Sequence, residues 1–165
     1  MIETERKLVI FLPDEDALKA ERNYSESRIT QIYISDPCLT HRVRKREYSD
    51  GRVEYTENTK KRISIMSVIE NEREITEAEY ESLALRIEEG SKPLSKLRRT
   101  FSYHGRTVEI DSYPEWKKSC ILEVELESES EELRLPEYIK IIREVTGEKR
   151  YSNHSMTHSF PNELI

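Results

Sequence analysis

Charged residues recur two apart along this sequence, most of them in pairs of one sign, inside segments that otherwise alternate polar and apolar. Glu3, Glu5 and Lys7 form the first set, followed by Arg42 and Arg44, Glu72 and Glu74, Lys96 and Arg98, Glu109 and Asp111, and Glu123 and Glu125. In an extended chain, residues at i and i+2 point to the same face. Each pair therefore shares a face, while Val43, Leu97, Ile110 and Val124 point the other way. A solvated strand surface would explain any single pair. Their repetition, acids on some strands and bases on others, needs something that compensates like charges standing side by side. Basic side chains bind a polyanion directly. Carboxylates bind divalent cations that bridge to it, and Mg²⁺ or Mn²⁺ takes carboxylate oxygens while keeping some of its waters. A linear triphosphate with its metal satisfies both sets.

The elements that must position these residues are mostly strands. Turn signals stand at Leu12-Pro13-Asp14, Ser35-Asp36-Pro37, Ser49-Asp50-Gly51, Glu89-Gly90-Ser91, His104-Gly105 and Tyr113-Pro114. Period-two alternation between them predicts strands near 2–11, 29–35, 40–48, 52–58, 62–75, 94–104, 106–112 and 119–127. Helices are predicted over 14–22, 76–88 and 132–146. Asp14-Glu15-Asp16 puts acids in a first turn. Thr76 with Glu79 makes a capping box. Ile139, Ile142 and Val145 recur at three-residue spacing before Gly147, which reads as a C-cap. A sheet closed on itself would turn its apolar faces outward under the helices and line a solvated interior with charge. Eight strands enclose room for one small ligand. The expected fold is α+β, an eight-stranded antiparallel β-barrel or tunnel with a charged interior and helices packed outside, built from residues 1–165 as one domain.

Composition fits that picture. Charged residues make up 36% of the 165 residues, but they alternate with apolar ones, which argues against disorder. The net charge of −6 argues against a generic nucleic-acid binder. No apolar run reaches the ~20 residues of a spanning helix. Acids at Glu3 and Glu5 stand where a signal peptide would be apolar, so a cytoplasmic protein is expected. Cys38 and Cys120 lack metal-ligand spacing and read as two reduced thiols.

The ordered motifs resemble the CYTH domain, or triphosphate tunnel metalloenzyme, family. Glu3-x-Glu5-x-Lys7 is similar to its first-strand signature. Gln31-Ile32-Tyr33-Ile34, Arg42-Val43-Arg44, Glu72-Arg73-Glu74-Ile75, Lys96-Leu97-Arg98, Glu109-Ile110-Asp111, Glu123-Val124-Glu125 and Arg150-Tyr151-Ser152-Asn153 follow in the family's order. The likeness covers essentially the whole chain. It implies metal-dependent hydrolysis of a triphosphate, with inorganic triphosphate as first choice. The same family includes adenylyl cyclases and thiamine triphosphatases, which are the alternatives, and a non-catalytic polyphosphate or nucleotide binder is a further one. By resemblance, Lys7, Arg42, Arg44, Lys60, Lys96 and Arg98 hold phosphates, and Arg suits this because its fork engages phosphate bidentately. Glu3, Glu5, Asp111, Glu123 and Glu125 hold or support Mg²⁺ or Mn²⁺. Glu72 and Glu74, with Lys7, form the catalytic set. The implied partner is a small-molecule triphosphate, with no nucleic acid or membrane, and a homodimer is an allowed state.

The sequence departs from the family pattern in two places. Asn58-Thr59-Lys60-Lys61-Arg62 offers several candidates for one fourth-strand lysine. Lys60 shares the parity of Glu72 and Glu74, and a bulge would promote Lys61 instead. Thr4 replaces an aliphatic residue, which should trim outer packing only. Arg46 and Arg62 either extend the basic lining or end strands in solvent, while Tyr33 and Trp116 read mainly as packing. His154 and His158 have the spacing of two ligands on one helix face. With no third ligand in view, that segment reads as a polar tail.

Overall fold

The structure, a computed structural model, describes residues 2–162. Its strands are β1 (Ile2–Phe11), β2 (Arg22–Ile34), β3 (Thr40–Tyr48), β4 (Val53–Arg62), β5 (Ser67–Glu74), β6 (Leu94–Tyr103), β7 (Arg106–Ser112), β8 (Ser119–Leu126) and β9 (Ile141–Glu144). The helices are α1 (Glu15–Lys19), α2 (Glu77–Ala84) and α3 (Asn153–Met156), with a 3₁₀ turn at Lys149–Tyr151. The sheet runs β5-β4-β3-β2-β6-β7-β8-β1-β9, and a β5–β1 pairing closes eight strands into an antiparallel barrel. Closure rests on three residue pairs, Ile2–Ile69, Glu3–Val68 and Thr4–Ser67. Thr4 is buried there, its hydroxyl 2.7 Å from that of Ser67, so it helps fasten the seam as well as packing outside.

The alternation in the sequence is the inside–outside alternation of this barrel. Leu8, Ile10, Phe101, Val108, Ile110, Leu122 and Val124 form an outer core, completed by Leu18 of α1 and by Ile139. Ile32, Ile34, Val43 and Ile75 form a second outer layer under Tyr80 and Leu83 of α2. That helix begins at the expected capping box, with Thr76 and Glu79 bonded reciprocally. The β6–β7 hairpin turns at His104 and Gly105, both at positive φ, the requirement of a type I′ turn. No helix among the described residues is long and apolar enough to cross a membrane.

Three expectations need correction. Residues 132–146 are not helical: after a loop they contribute β9, which pairs with Leu8–Ile10 of β1. Since β5 covers only Ile2–Thr4, the rest of that β1 edge would be left unpaired. Edge pairing therefore outweighs the three-residue spacing of Ile139, Ile142 and Val145, and Val145 instead points into the interior cluster. Gly147, at φ +74°, is a close approach rather than a helix cap, because a Cβ there would collide with Ile65. The segment after Ser152 is also no simple polar tail. It forms α3, capped by the Ser152 hydroxyl, which accepts from Ser155 N. Elsewhere boundaries move: β2 begins at Arg22, and β4 runs on to Arg62 before a Ser64 turn.

Candidate active site

The inward faces of the strands change character along the barrel. On β1 they read Glu3, Glu5, Lys7 and then Val9; on β8, Glu125, Glu123 and then Ile121; on β7, Glu109, Asp111 and then Tyr113. Val9, Ile121, Leu94, Tyr113, Trp116, Val145, Tyr151 and Met156 fill one end as a buried plug. Trp116 belongs to this packing, its indole N–H donating to Pro161 O at 2.9 Å. The remaining interior is a cavity of about 580 Å³.

Basic residues reach the cavity from β1 (Lys7), β3 (Arg42, Arg44, Arg46), β4 (Lys60, Arg62) and β6 (Arg98), and acids from β1 (Glu3, Glu5), β5 (Glu70, Glu72), β7 (Glu109) and β8 (Glu123). The fourth-strand ambiguity is resolved, because β4 and β5 pair without a bulge from Thr56 to Arg62. Lys60 faces inward with its ammonium 3.0 Å from Glu3, while Lys61 is turned out and does not line the cavity. Arg46 extends the lining and donates to the Ser27 hydroxyl at 2.9 Å; Arg62 lines its edge and donates to Ile65 O at 2.7 Å. Tyr33 also lines the cavity and is stacked on His154.

Second-layer contacts fix several of these groups. Gln31 Oε1 accepts from Arg44 Nε and Nη2, at 3.2 and 2.9 Å, locking the guanidinium. Asn58 Nδ2 donates to Glu72 at 3.0 Å and also to Glu70. Neither Gln31 nor Asn58 reads as a positioning residue in the sequence, since neither carries charge; Gln31 stands in the Gln31-Ile32-Tyr33-Ile34 motif without a role, and Asn58 has only the inward parity it shares with Lys60.

Not every sequence-nominated residue reaches the cavity. Lys96 and Asp111 are buried beneath it, joined at 2.7 Å, and Arg98 grips the same carboxylate through Nε and Nη2 at 2.8 Å each. Asp111 is thus engaged by two cations rather than presented to a metal. Glu125 stands opposite Glu5 in the register but is exposed and outside the lining. Glu74 is exposed at the end of β5 and also outside it. The acid from β5 that the sequence reading passed over, Glu70, does line the cavity.

The electrostatics divide the cavity into a basic and an acidic pole. Burial and the neighbouring Arg42 and Arg98 bring Arg44 down to about 9. Burial and Arg98 bring Lys96 down to about 7, since the Asp111 charge is already matched by Arg98. The same cations hold Asp111 down at about 2. Arg42 Nε and Gln31 Nε2 are buried without a protein acceptor, an arrangement suited to an anion. At the other pole, burial and the adjoining Glu123 push Glu5 well above the usual carboxylate range, while Lys7 and its surroundings hold Glu123 well below it. Glu3, Glu5 and Glu123 bring three carboxylates to the same cavity, Glu3 paired with Lys60 at 3.0 Å and Glu123 with Lys7 at 3.4 Å, and carboxylate oxygens are the donors a hard divalent cation takes.

A closed antiparallel barrel with a charged interior of this arrangement is consistent with the CYTH-type, triphosphate tunnel fold. The chain is similar to the solved structure of the inorganic triphosphatase NE1496, with 25% identity and a TM-score of 0.59, over 96% of this chain and 99% of that one. The PH1819 protein from Pyrococcus horikoshii OT3 shares the fold at 22% identity and a TM-score of 0.57, over 76% of this chain and 80% of that one. So does a putative adenylyl cyclase, HpAC1, from Hippeastrum, described as having a dominant triphosphatase activity, at 14% identity and a TM-score of 0.50, over 75% and 80%. No family model and no curated protein matches the chain.

Proposed function

We propose that this protein hydrolyses a linear triphosphate, inorganic triphosphate above all, inside its tunnel with Mg²⁺ or Mn²⁺. The observation that carries this reading is the facing of Lys7, Arg42, Arg44, Lys60 and Arg98 onto one cavity of about 580 Å³ together with Glu3, Glu5 and Glu123. The likeness to a solved inorganic triphosphatase supports the same reading. A pure anion binder would gain nothing from carboxylates in its cavity.

The basic side chains bind the three phosphates and offset charge that builds on the transferring phosphoryl group. Glu3, Glu5 and Glu123 would hold the divalent cation, which supplies further charge neutralisation when bound. Glu72, fixed by Asn58, orients water and takes its proton. The water oxygen bonds to the terminal phosphorus as the bridging P–O bond breaks, giving phosphate and pyrophosphate. A cytoplasmic setting fits, where both free thiols, exposed Cys38 and buried Cys120, stay reduced.

The test is incubation of purified protein with inorganic triphosphate, ATP and thiamine triphosphate, each with Mg²⁺ or Mn²⁺, resolving all products. Phosphate and pyrophosphate from inorganic triphosphate, with little nucleotide turnover, is the expected result. Cyclic AMP from ATP would make it a cyclase, and silence with every substrate would leave a binding role.

A further inference from the structure

Beside the acidic and basic lining of the tunnel, and reaching its wall through His154, one cluster has the composition of a different kind of site. His154 lies on α3, and His158 follows one turn later, where the turn persists through the Ser159 N–H bond to Ser155 O at 3.1 Å. Both rings turn Nε2 toward the same carboxylate, that of Glu88 in the segment between α2 and β6. His154 Nε2 lies 2.9 Å from Glu88 Oε2, and His158 Nε2 lies 2.7 Å from Glu88 Oε1. One ligand atom from each of the three residues lies within 4.8 Å of the others.

The scaffold behind these atoms is fixed from both sides. Glu88 N donates to Tyr33 O at 2.9 Å, anchoring the carboxylate's backbone to β2. Lys92 N donates to Thr157 O at 3.0 Å, tying the same segment to the turn that carries both histidines. The His154 ring stacks on Tyr33 at 4.8 Å between centroids, which sets its plane.

We propose that Glu88, His154 and His158 bind a divalent transition-metal ion of the zinc class. Two imidazole nitrogens and one carboxylate oxygen suit Zn²⁺ or Co²⁺, whereas Mg²⁺ favours oxygen donors and retained water. Three protein ligands leave a further position for water. This set shares no residue with the Glu3, Glu5 and Glu123 carboxylates. Its consequence is mechanical: the ion fastens α3 to the segment behind α2. The chain around α3 carries Tyr151 and Met156 of the plug and Ser152, Asn153 and His154 of the cavity wall. Occupancy therefore stiffens one side of the tunnel.

The experiment titrates the full-length protein with Co²⁺, read by visible absorption, and with Zn²⁺, read by calorimetry, in excess Mg²⁺ so that the tunnel carboxylates are occupied. The expected result is one equivalent bound, with the intense visible bands of low-coordinate Co²⁺ and a raised melting temperature. His158→Ala and Glu88→Gln should each weaken binding by about tenfold or more, while His158→Cys, which keeps a ligand, retains it. Triphosphate turnover with Mg²⁺ should be unchanged in His158→Ala, and melting curves without transition metal check that each variant folds. Absence of binding by the unaltered protein would overturn the proposal, leaving two histidines that merely share a carboxylate. So would equal affinity in all variants. Metal binding is read directly, so a tunnel that fails to hydrolyse triphosphate leaves this result intact.

Discussion

The ammonium of Lys60 lies 3.0 Å from the carboxylate of Glu3, spanning from β4 to β1 across the strand that closes the barrel. An acid assigned to the metal and a base assigned to phosphate are therefore partners before either ligand arrives. Lys60→Met should lower triphosphate turnover by about 10²-fold, the scale for losing one positioned charge-stabilising group. Lys61→Met, on the outward face, should stay near the unaltered rate. Steady-state assays of the two variants side by side check this; equal losses would mean that β4 slips its register.

Glu72 and Glu74 are separated by the structure even though they share strand and parity. Only Glu72 lines the cavity, held by Asn58. Glu72→Gln should cost about 10²-fold or more in kcat, as expected for a general base, and Glu74→Gln little. Steady-state kinetics of both variants check the assignment: kcat should fall in the first with KM little changed, and neither should move in the second.

Asp111 holds Lys96 and Arg98 in a buried cluster. Asp111→Asn leaves two buried cations short of a counter-charge and should destabilise by about 3–5 kcal/mol. Urea denaturation measures this. A variant of unaltered stability that lost only metal-dependent turnover would return Asp111 to the metal-holding role its motif suggests.

Stability should rise with pH in the ligand-free protein between about pH 7 and pH 9. Folding lowers Lys96 to about 7 and Arg44 to about 9, both below their ordinary values. Across that window the unfolded chain holds more protons than the folded one, so raising the pH relieves a penalty that only the fold carries. Bound triphosphate offsets the positive charge and should flatten the slope. Melting curves at several pH values, with and without inorganic triphosphate, give both slopes; a ligand-free stability that falls over this range would contradict it.

The barrel was legible in the sequence because its interior is charged and its exterior apolar, so period-two alternation marks both faces at once. Arg42-Val43-Arg44 and Glu123-Val124-Glu125 each state strand, face and chemistry in three residues. Depth along the barrel was not legible: Lys96-Leu97-Arg98 has the same alternation, yet its two cations end up buried on Asp111. β9 was hidden for a different reason. Its cause is the unpaired edge of β1, a property of the assembled sheet, whereas local spacing at Ile139, Ile142 and Val145 favours helix. Glu88 lies 66 residues from His154, too remote for spacing rules to join them.

The plug formed by Val9, Ile121, Tyr113, Trp116 and Tyr151 makes the tunnel a cul-de-sac. With that end filled by apolar side chains, the proposed hydrolysis would exchange substrate and products through the charged end, the deeper product waiting on the shallower. A longer phosphate chain can present only a terminus to the charged depth, its remainder trailing outside. On the proposed hydrolysis, such a chamber would favour the ends of a phosphate chain over its middle.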